Sequence, residues 1–351
     1  MDERDGTAMK TAERLSQLVG LPRRVAAAGL LCFTLAAGAA PAELDWEALR
    51  NPILGDHDQS LHDFCVVEAD GLFHIFCSAF QESGDAPNCT IVQYTSADLV
   101  RFAEVNRLDG ASRGWRGTAS PYVVHDGNRY VLVGNSWGDA PEQPNALFWC
   151  ESPDLMAWSS PRPLAANLTG EARAVDPALA PFGEVHLLIW NQGRLPRVAH
   201  GERLVGDFAW LGPGYLELST VDGAHRPYFA SFQVLRIGEG WRLLAAARED
   251  RHRPYLFERP ESTSAGLRFS RWENGTALDI PVQDFNREIL ANGAWLLDRR
   301  ATDGWFYLFY AGSNGQRRAD FGGRGWNRLG IARSRDLVRW EAAGMAGAAV
   351  E

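Results

Sequence analysis

From residue 43 onward the apolar positions recur with a period of two rather than 3.6, in short runs broken by turn residues. LHDFCVVEADGLFHIFCSAF (61–80) is representative: an apolar run, the pair Asp70-Gly71, and a second apolar run, which together spell a β-hairpin. A carboxylate, Asp63, stands at the head of the first run beside His62. Similar hairpins begin at 63, 120, 176, 227 and 293 (DFCVVEADGLFHIF, SPYVVHDGNRYVLV, DPALAPFGEVHLLIW, PYFASFQVLRIGEGWRLLAA and GAWLLDRRATDGWFYLFY). Each is followed by a second type of segment. In YTSADLVRFAEV (94–105), WCESPDLMAWSSP (149–161) and IARSRDLVRWEAA (331–343) an apolar strand ends in Ser-x-Asp-Leu, and an aromatic residue then opens a short last strand. LFERPESTSAGLRFSRWE (256–273) and AHGERLVGDFAWL (199–211) are degenerate copies. Five units of four strands in unbroken succession predict an all-β fold, a five-bladed β-propeller with four-stranded antiparallel blades. A β-sandwich of unrelated hairpins would not produce the repeat.

The first forty residues differ. Arg23-Arg24 precede VAAAGLLCFTLAAGAA, an apolar segment with the length of a signal-peptide core, and small residues follow through Ala42. Residues 1–42 are therefore read as a secretory signal and 43–351 as the propeller domain, with the mature chain secreted or periplasmic. Leu31 before Cys32 fits a lipoprotein signal poorly, and the apolar run is short of a membrane span.

The whole chain carries 35 basic and 44 acidic residues. Removing 1–42 takes away five basic and four acidic residues, leaving 30 against 40, a net charge of −10. Such a surface repels phosphate backbones, which argues against a nucleic-acid partner, and no membrane partner is expected once the signal is cleaved. Lys10 is the only lysine, so the mature chain has no Schiff-base chemistry. Cys65, Cys77, Cys89 and Cys150 form an even set; export permits disulfides among them, but their spacing assigns no pairing and matches no metal site.

In a propeller the first strand of each blade lines a central channel, and its opening residues meet at the channel mouth. Asp63 opens blade 1 and Asp176 opens blade 3, at the same offset before their hairpin turns. A single Asp at a strand start is commonly a turn cap; two in register on non-adjacent blades point to a shared site.

This layout resembles the five-bladed glycoside hydrolases of families 43, 62, 32 and 117, over residues about 50 to 343. LHDFCVVEADGLFHIFCS is similar to the segment that carries the catalytic base in families 62 and 43, the arabinofuranosidases and xylosidases. AVDPALAPFGEVHLLIW, preceded by WSSPRPLAANL, resembles the segment with the second Asp, which tunes the acid's pKa and orients substrate. The resemblance implies inverting hydrolysis of a glycosidic bond: Asp63 as base, Asp176 as modulator, and a carbohydrate substrate of arabinofuranoside or xyloside type. It implies no cofactor, and leaves open a structural calcium in the channel, as some relatives have.

The sequence departs from the family at the acid. The family has a Glu at the start of blade 4; here no Glu occurs between Glu217 and Glu239, and counting back from Gly238 by the offset of Asp63 from Gly71 lands on Ala230. His225 is the substitute offered by the sequence, in the role that family 117 gives to a His, or alternatively a substrate contact with Arg226 beside it as a clamp. Asp222 and Glu217 are the remaining candidates. Further candidate sugar contacts are His62, Asn191, Asn292 and the aromatic residues Trp137, Trp190 and Trp295, with Trp115 near them; each aromatic has packing as its plainer role. Gln192 shares the position beside Asn191. GNSWG (134–138) spells a nucleophile elbow, but DAPEQPNALF follows it with no helical period, so a serine hydrolase is not expected. The missing Glu leaves a catalytically silent carbohydrate-binding propeller as the alternative function.

Overall fold

The computed structural model describes residues 44–345 except 56–58, 82–87, 139–142, 183–184, 224–227, 260–269 and 317–325, and the side chains of Asn88 and Pro213. The signal segment expected over 1–42 lies outside the described residues. Among the described residues the strands form five sheets. Blade 1 contains β1 (Ser60–Ala69), β2 (Leu72–Gln81), β3 (Asn88–Ser96) and β4 (Ala103–Leu108); blade 2 contains β5 (Gly117–His125), β6 (Tyr130–Trp137), β7 (Leu147–Ser152) and β8 (Arg162–Pro163). Blade 3 contains β9 (Ala174–Phe182), β10 (Val185–Gln192), β11 (Leu195–Gly201) and β12 (Ala209–Tyr215). In blade 4 a parallel outer strand, β13 (Glu217–Thr220), joins β14 (Phe229–Ile237), β15 (Gly240–Ala247), β16 (Arg253–Glu258) and β17 (Arg271–Ala277). Blade 5 is β18 (Ala294–Asp298), β19 (Phe306–Gly312), β20 (Arg328–Ser334) and β21 (Glu341–Ala342). The chain is a five-bladed propeller, as the repeat predicts.

The repeat has a local chemical cause. In blade 1 the Ser96 hydroxyl accepts the Leu99 N–H at 2.8 Å, and Asp98 Oδ1 accepts the N–H groups of Val100 and Arg101 at 2.9 Å each. Ser334/Asp336 make the same bonds in blade 5, and in blade 2 Asp154 Oδ1 accepts the Met156 and Ala157 N–H groups while Ser152 Oγ accepts the Asp154 N–H. The leucine that follows each Asp has positive φ (57°, 63° and 64° at Leu99, Leu155 and Leu337), which reverses the chain between the third and fourth strands. The Trp158 and Trp340 indoles then donate back to the carbonyls of Leu155 and Leu337.

These hydrogen bonds hold the Asp98, Asp154 and Asp336 carboxyls below the usual carboxylate range. A depressed folded-state pKa contributes stability above the unfolded value, about 3.9 for Asp, and that contribution is lost as pH falls through the lower folded-state value. Asp98→Ala is therefore expected to lower the urea midpoint at pH 7 and to show a smaller deficit at pH 2. A deficit of the same size at both pH values would assign the effect to something other than the carboxylate.

The ring closes between the ends of the chain. Asn51 places its amide across β20, with Oδ1 accepting the Ile331 N–H at 2.8 Å and Nδ2 donating to the Ile331 carbonyl at 2.9 Å. Leu54 pairs with Leu329, and the Leu61 N–H donates to the Asn327 carbonyl. The core between blades is aromatic and aliphatic, with Trp190, Trp272 and Tyr310 fully buried. Cys65, Cys77, Cys89 and Cys150 are all buried free thiols. Burial pushes their pKa values up, those of Cys150 to about 12, so they remain protonated and pack as small apolar groups.

Candidate active site

Five positions, one per blade, share a positive φ. Asp63, Ser120, Asp176 and Ser231 have φ of 42°, 55°, 57° and 56°, and Gly293 has φ 105°. In blades 1 to 4 each of these residues sits where the pairing of the first two strands shifts register, which makes it part of a β-bulge. A bulge re-aims one side chain out of the pleat. Here four of the five turn toward the centre of the ring, so that Asp63, Ser120, Asp176 and Ser231 line one pocket over Phe64, Pro121, Tyr122, Pro177, Phe232, Ala294 and Trp295. The fifth must be glycine: a Cβ on Gly293 would stand 3.1 Å from the Asp63 nitrogen. The pocket is open to solvent.

Each carboxylate is held at both oxygens. Asp63 Oδ2 accepts from His62 Nδ1 at 2.8 Å, and Oδ1 accepts from the Ser231 hydroxyl at 3.2 Å. His62 stacks on Phe80, with ring centres 4.3 Å apart, and Trp137 meets Phe80 edge-on at 5.0 Å. Asp176 Oδ1 accepts from Ser120 Oγ at 2.9 Å, and Oδ2 accepts from Asn191 Nδ2 at 3.1 Å. The second strands supply a supporting ring: Ser78 Oγ accepts the Ser120 N–H at 2.7 Å, and Asn135 Oδ1 accepts the Asp176 N–H at 3.1 Å. The Asn292 carbonyl accepts the Asp63 N–H. At the edge of the site Arg248, directly after β15, lies over the Tyr228 ring and brings Nη2 to 3.7 Å from Asp176 Oδ2. Burial disfavours its cation, but the charges of Asp176, Tyr228 and Asp63 outweigh burial and hold its pKa above the ordinary value.

The structure therefore brings Asp63, Asp176 and Trp295 together at one mouth, while His62, buried and stacked on Phe80, orients Asp63 rather than lining the pocket. Other expected positions are corrected. Trp190 lies opposite the Asp176-Pro177 bulge, fully buried and stacked on Trp210 at 5.4 Å, so it is a core residue and not a stacking platform. Asn191 and Asn292 are buried and serve the carboxylates, one through its side chain and the other through its carbonyl, rather than facing a ligand. Trp115 packs on Phe148. Ala230 is not the blade-4 counterpart of Asp63: Ser231 is. Gly238 occupies the first turn position, taken by Asp70 in blade 1, so counting from Gly71 lands one residue short. Ser136 of the Gly-x-Ser-x-Gly pattern lies inside β6 with its hydroxyl accepting the Ala146 N–H, which removes the nucleophile elbow. Glu217 is exposed on β13, and Asp222 accepts from Thr220 Oγ1 at 2.6 Å; neither lines the central pocket. His225 and Arg226 lie outside the described residues. Among the described residues no three His, Cys, Asp or Glu side chains gather as a metal site.

No protein-family model matches this chain, and no curated protein matches it in sequence. Solved structures do match. The GH43_1 enzyme from Xanthomonas citri, also solved with xylotriose, superposes with a TM-score of 0.58 at 16% identity, over 82% of this chain and 90% of that one. RS223 β-xylosidase gives 0.58 at 12% identity, over 78% and 92%. A structure from work on the GH130 family of mannoside phosphorylases, which contains glycoside hydrolases that target β-1,2 mannosidic linkages in Candida mannan, gives 0.57 at 14%, over 78% and 84%. The chain thus has the five-bladed propeller fold of the GH43 and GH130 glycosidases, shared at low sequence identity.

Proposed function

We propose that this protein is an exported glycoside hydrolase that cleaves a glycosidic bond with inversion, acting on arabinofuranosyl or xylosyl linkages of plant- or algal-type saccharides. The observation that carries the reading is the pair of oriented carboxylates on equivalent bulges of blades 1 and 3, facing one solvent-open pocket. Inversion needs a carboxylate to activate water on the face of the sugar opposite the leaving group, and space for that water. Asp63 is assigned as this base, since His62 and Ser231 hold its oxygens toward the pocket. Asp176 orients substrate and favours the protonated form of the acid. The acid assigned is His225, which precedes Ser231 by six residues in the chain; negative charge from the two carboxylates of the site would keep an imidazolium protonated to higher pH.

The test is release of sugar from arabinan, arabinoxylan, xylo-oligosaccharides and oligo-agarose, with the product anomer read by NMR at early times. The expected result is release of a monosaccharide in the anomeric form opposite to that of the bond cleaved. Ser231 in place of a carboxylate favours a second reading, a propeller that binds carbohydrate without cleaving it. Binding of these saccharides with no release from any of them would establish that reading instead.

A further inference from the structure

Arg248 was not singled out by any sequence pattern, and its surroundings do not explain it as a structural residue. Its backbone N–H donates to the Tyr228 carbonyl at 3.1 Å and its guanidinium lies 4.9 Å from the Tyr228 ring centre, contacts that fix where the side chain goes. Its donors are unspent. Nε is buried with no hydrogen-bond partner among the described residues, and the closest approach to an anion, 3.7 Å from Nη2 to Asp176 Oδ2, is longer than a hydrogen bond. Asp176 does not need Arg248 for its orientation, because Ser120, Asn191 and Asn135 already hold both oxygens and the backbone N–H. Asp176 and Tyr228 stabilise the charge of this guanidinium, which is 19% exposed, but its fixed fork of donors makes no hydrogen bond among the described residues and is open to acceptors from a ligand.

The chemistry of that ligand follows from the neighbours. A hydroxyl group can donate to a carboxylate while its oxygen accepts from a guanidinium; a carboxylate ligand can only accept. Among the described residues Asp63 and Asp176 set two negative charges against the one cation of Arg248, so a third carboxylate would enter a net negative field. We propose that Arg248 and Asp176 together clamp adjacent hydroxyl groups of a neutral glycosyl unit, and that this pair selects uncharged sugars over uronates. This rests on the central pocket being the saccharide site, as in the function proposed above.

Ligand-observed NMR titration with methyl xylopyranoside, arabinofuranoside, mannopyranoside and galactopyranoside, and with methyl glucuronoside and galacturonoside, tests it without requiring turnover. Wild-type protein is expected to bind at least one neutral glycoside at least tenfold more tightly than either uronoside. Arg248→Met, which keeps an unbranched apolar stem, is expected to weaken that glycoside at least tenfold. Arg248→Lys, which keeps the charge but loses the fork, is expected to weaken it by a smaller factor and covers the case in which the Met variant does not fold. Wild-type-like affinity in either folded variant, or uronosides bound as tightly as neutral glycosides, overturns the clamp while leaving the hydrolase reading standing. Loss of binding in the variants with no cleavage of any substrate by the wild type leaves the clamp standing and sinks the hydrolase. Absence of binding to every glycoside by the wild type overturns both.

Discussion

Asp63→Asn is expected to lower kcat/KM by about 10²–10⁴-fold, the usual contribution of a positioned general base, with little change in thermal stability. The substitution is nearly isosteric, and Asn tolerates the left-handed backbone that Asp63 adopts at φ 42°. The hydrogen-bond network can also survive it. The amide oxygen replaces Oδ1 as acceptor for Ser231, and the amide nitrogen then faces His62 Nδ1, which accepts in the imidazole's other tautomer. What the amide cannot do is take a proton from water. Steady-state rates on the cleaved substrate and a melting curve for each protein make the comparison. A folded Asp63→Asn protein retaining activity within a few fold of wild type would remove Asp63 as the base. A large loss of stability would show instead that the carboxylate's main work is to hold the blade 1 bulge.

The parts of this molecule that are legible in the sequence are those with local chemistry. Ser-x-Asp-Leu caps a turn by hydrogen bonds within six residues, so it leaves a pattern that recurs wherever the turn recurs. A carboxylate heading an apolar strand stands out in the same way, which is why Asp63 and Asp176 could be identified before the bulges were known. Their partners left no such mark. Ser120 and Ser231 are ordinary residues whose meaning comes from a positive φ and from carboxylates on other blades. The Ser231 position was missed by one residue because the glycine in its hairpin turn stands in the place that Asp70 has in blade 1. Arg248 directly follows a second strand, where nothing in the local sequence distinguishes it from the chain's many other arginines. Trp190 was misplaced for a different reason: β10 is buried on both faces over Leu187–Asn191, so the alternation that would mark an outward side chain is absent. Contacts between blades are set by tertiary geometry, and a repeat reveals only that they exist.

One of those contacts carries the largest stability effect expected here. Arg299 follows β18 with its side chain 2% exposed, Nε lying 3.4 Å from Glu68 Oε2 and 3.6 Å from Asp303 Oδ2. Its guanidinium is flanked by the rings of Phe73 and Tyr307, 5.3 and 5.9 Å away. Glu68 and Phe73 belong to blade 1 and the others to blade 5, so this cation pins the last blade to the first. Arg299→Met keeps apolar volume between the rings but leaves the partly buried Glu68 carboxylate facing Asp303 without its cation. The expected loss is about 1–3 kcal/mol, less than for removing one partner of a fully buried ion pair, because the carboxylates left behind are partly exposed. Glu68→Gln in the same chain is expected to recover part of it. The pH dependence supplies a sharper check. Burial already holds the Glu68 carboxyl above its ordinary range, with Arg299 pulling it down and Asp303 pushing it up. Without Arg299 it rises further. A raised folded-state carboxylate pKa favours the fold below that pKa and costs stability as pH rises through it. The deficit of Arg299→Met relative to wild type is therefore expected to be larger at pH 7.5 than at pH 5, read from urea midpoints and slopes. An equal deficit at the two pH values would mean that the aromatic sandwich, and not the charge, makes the pin.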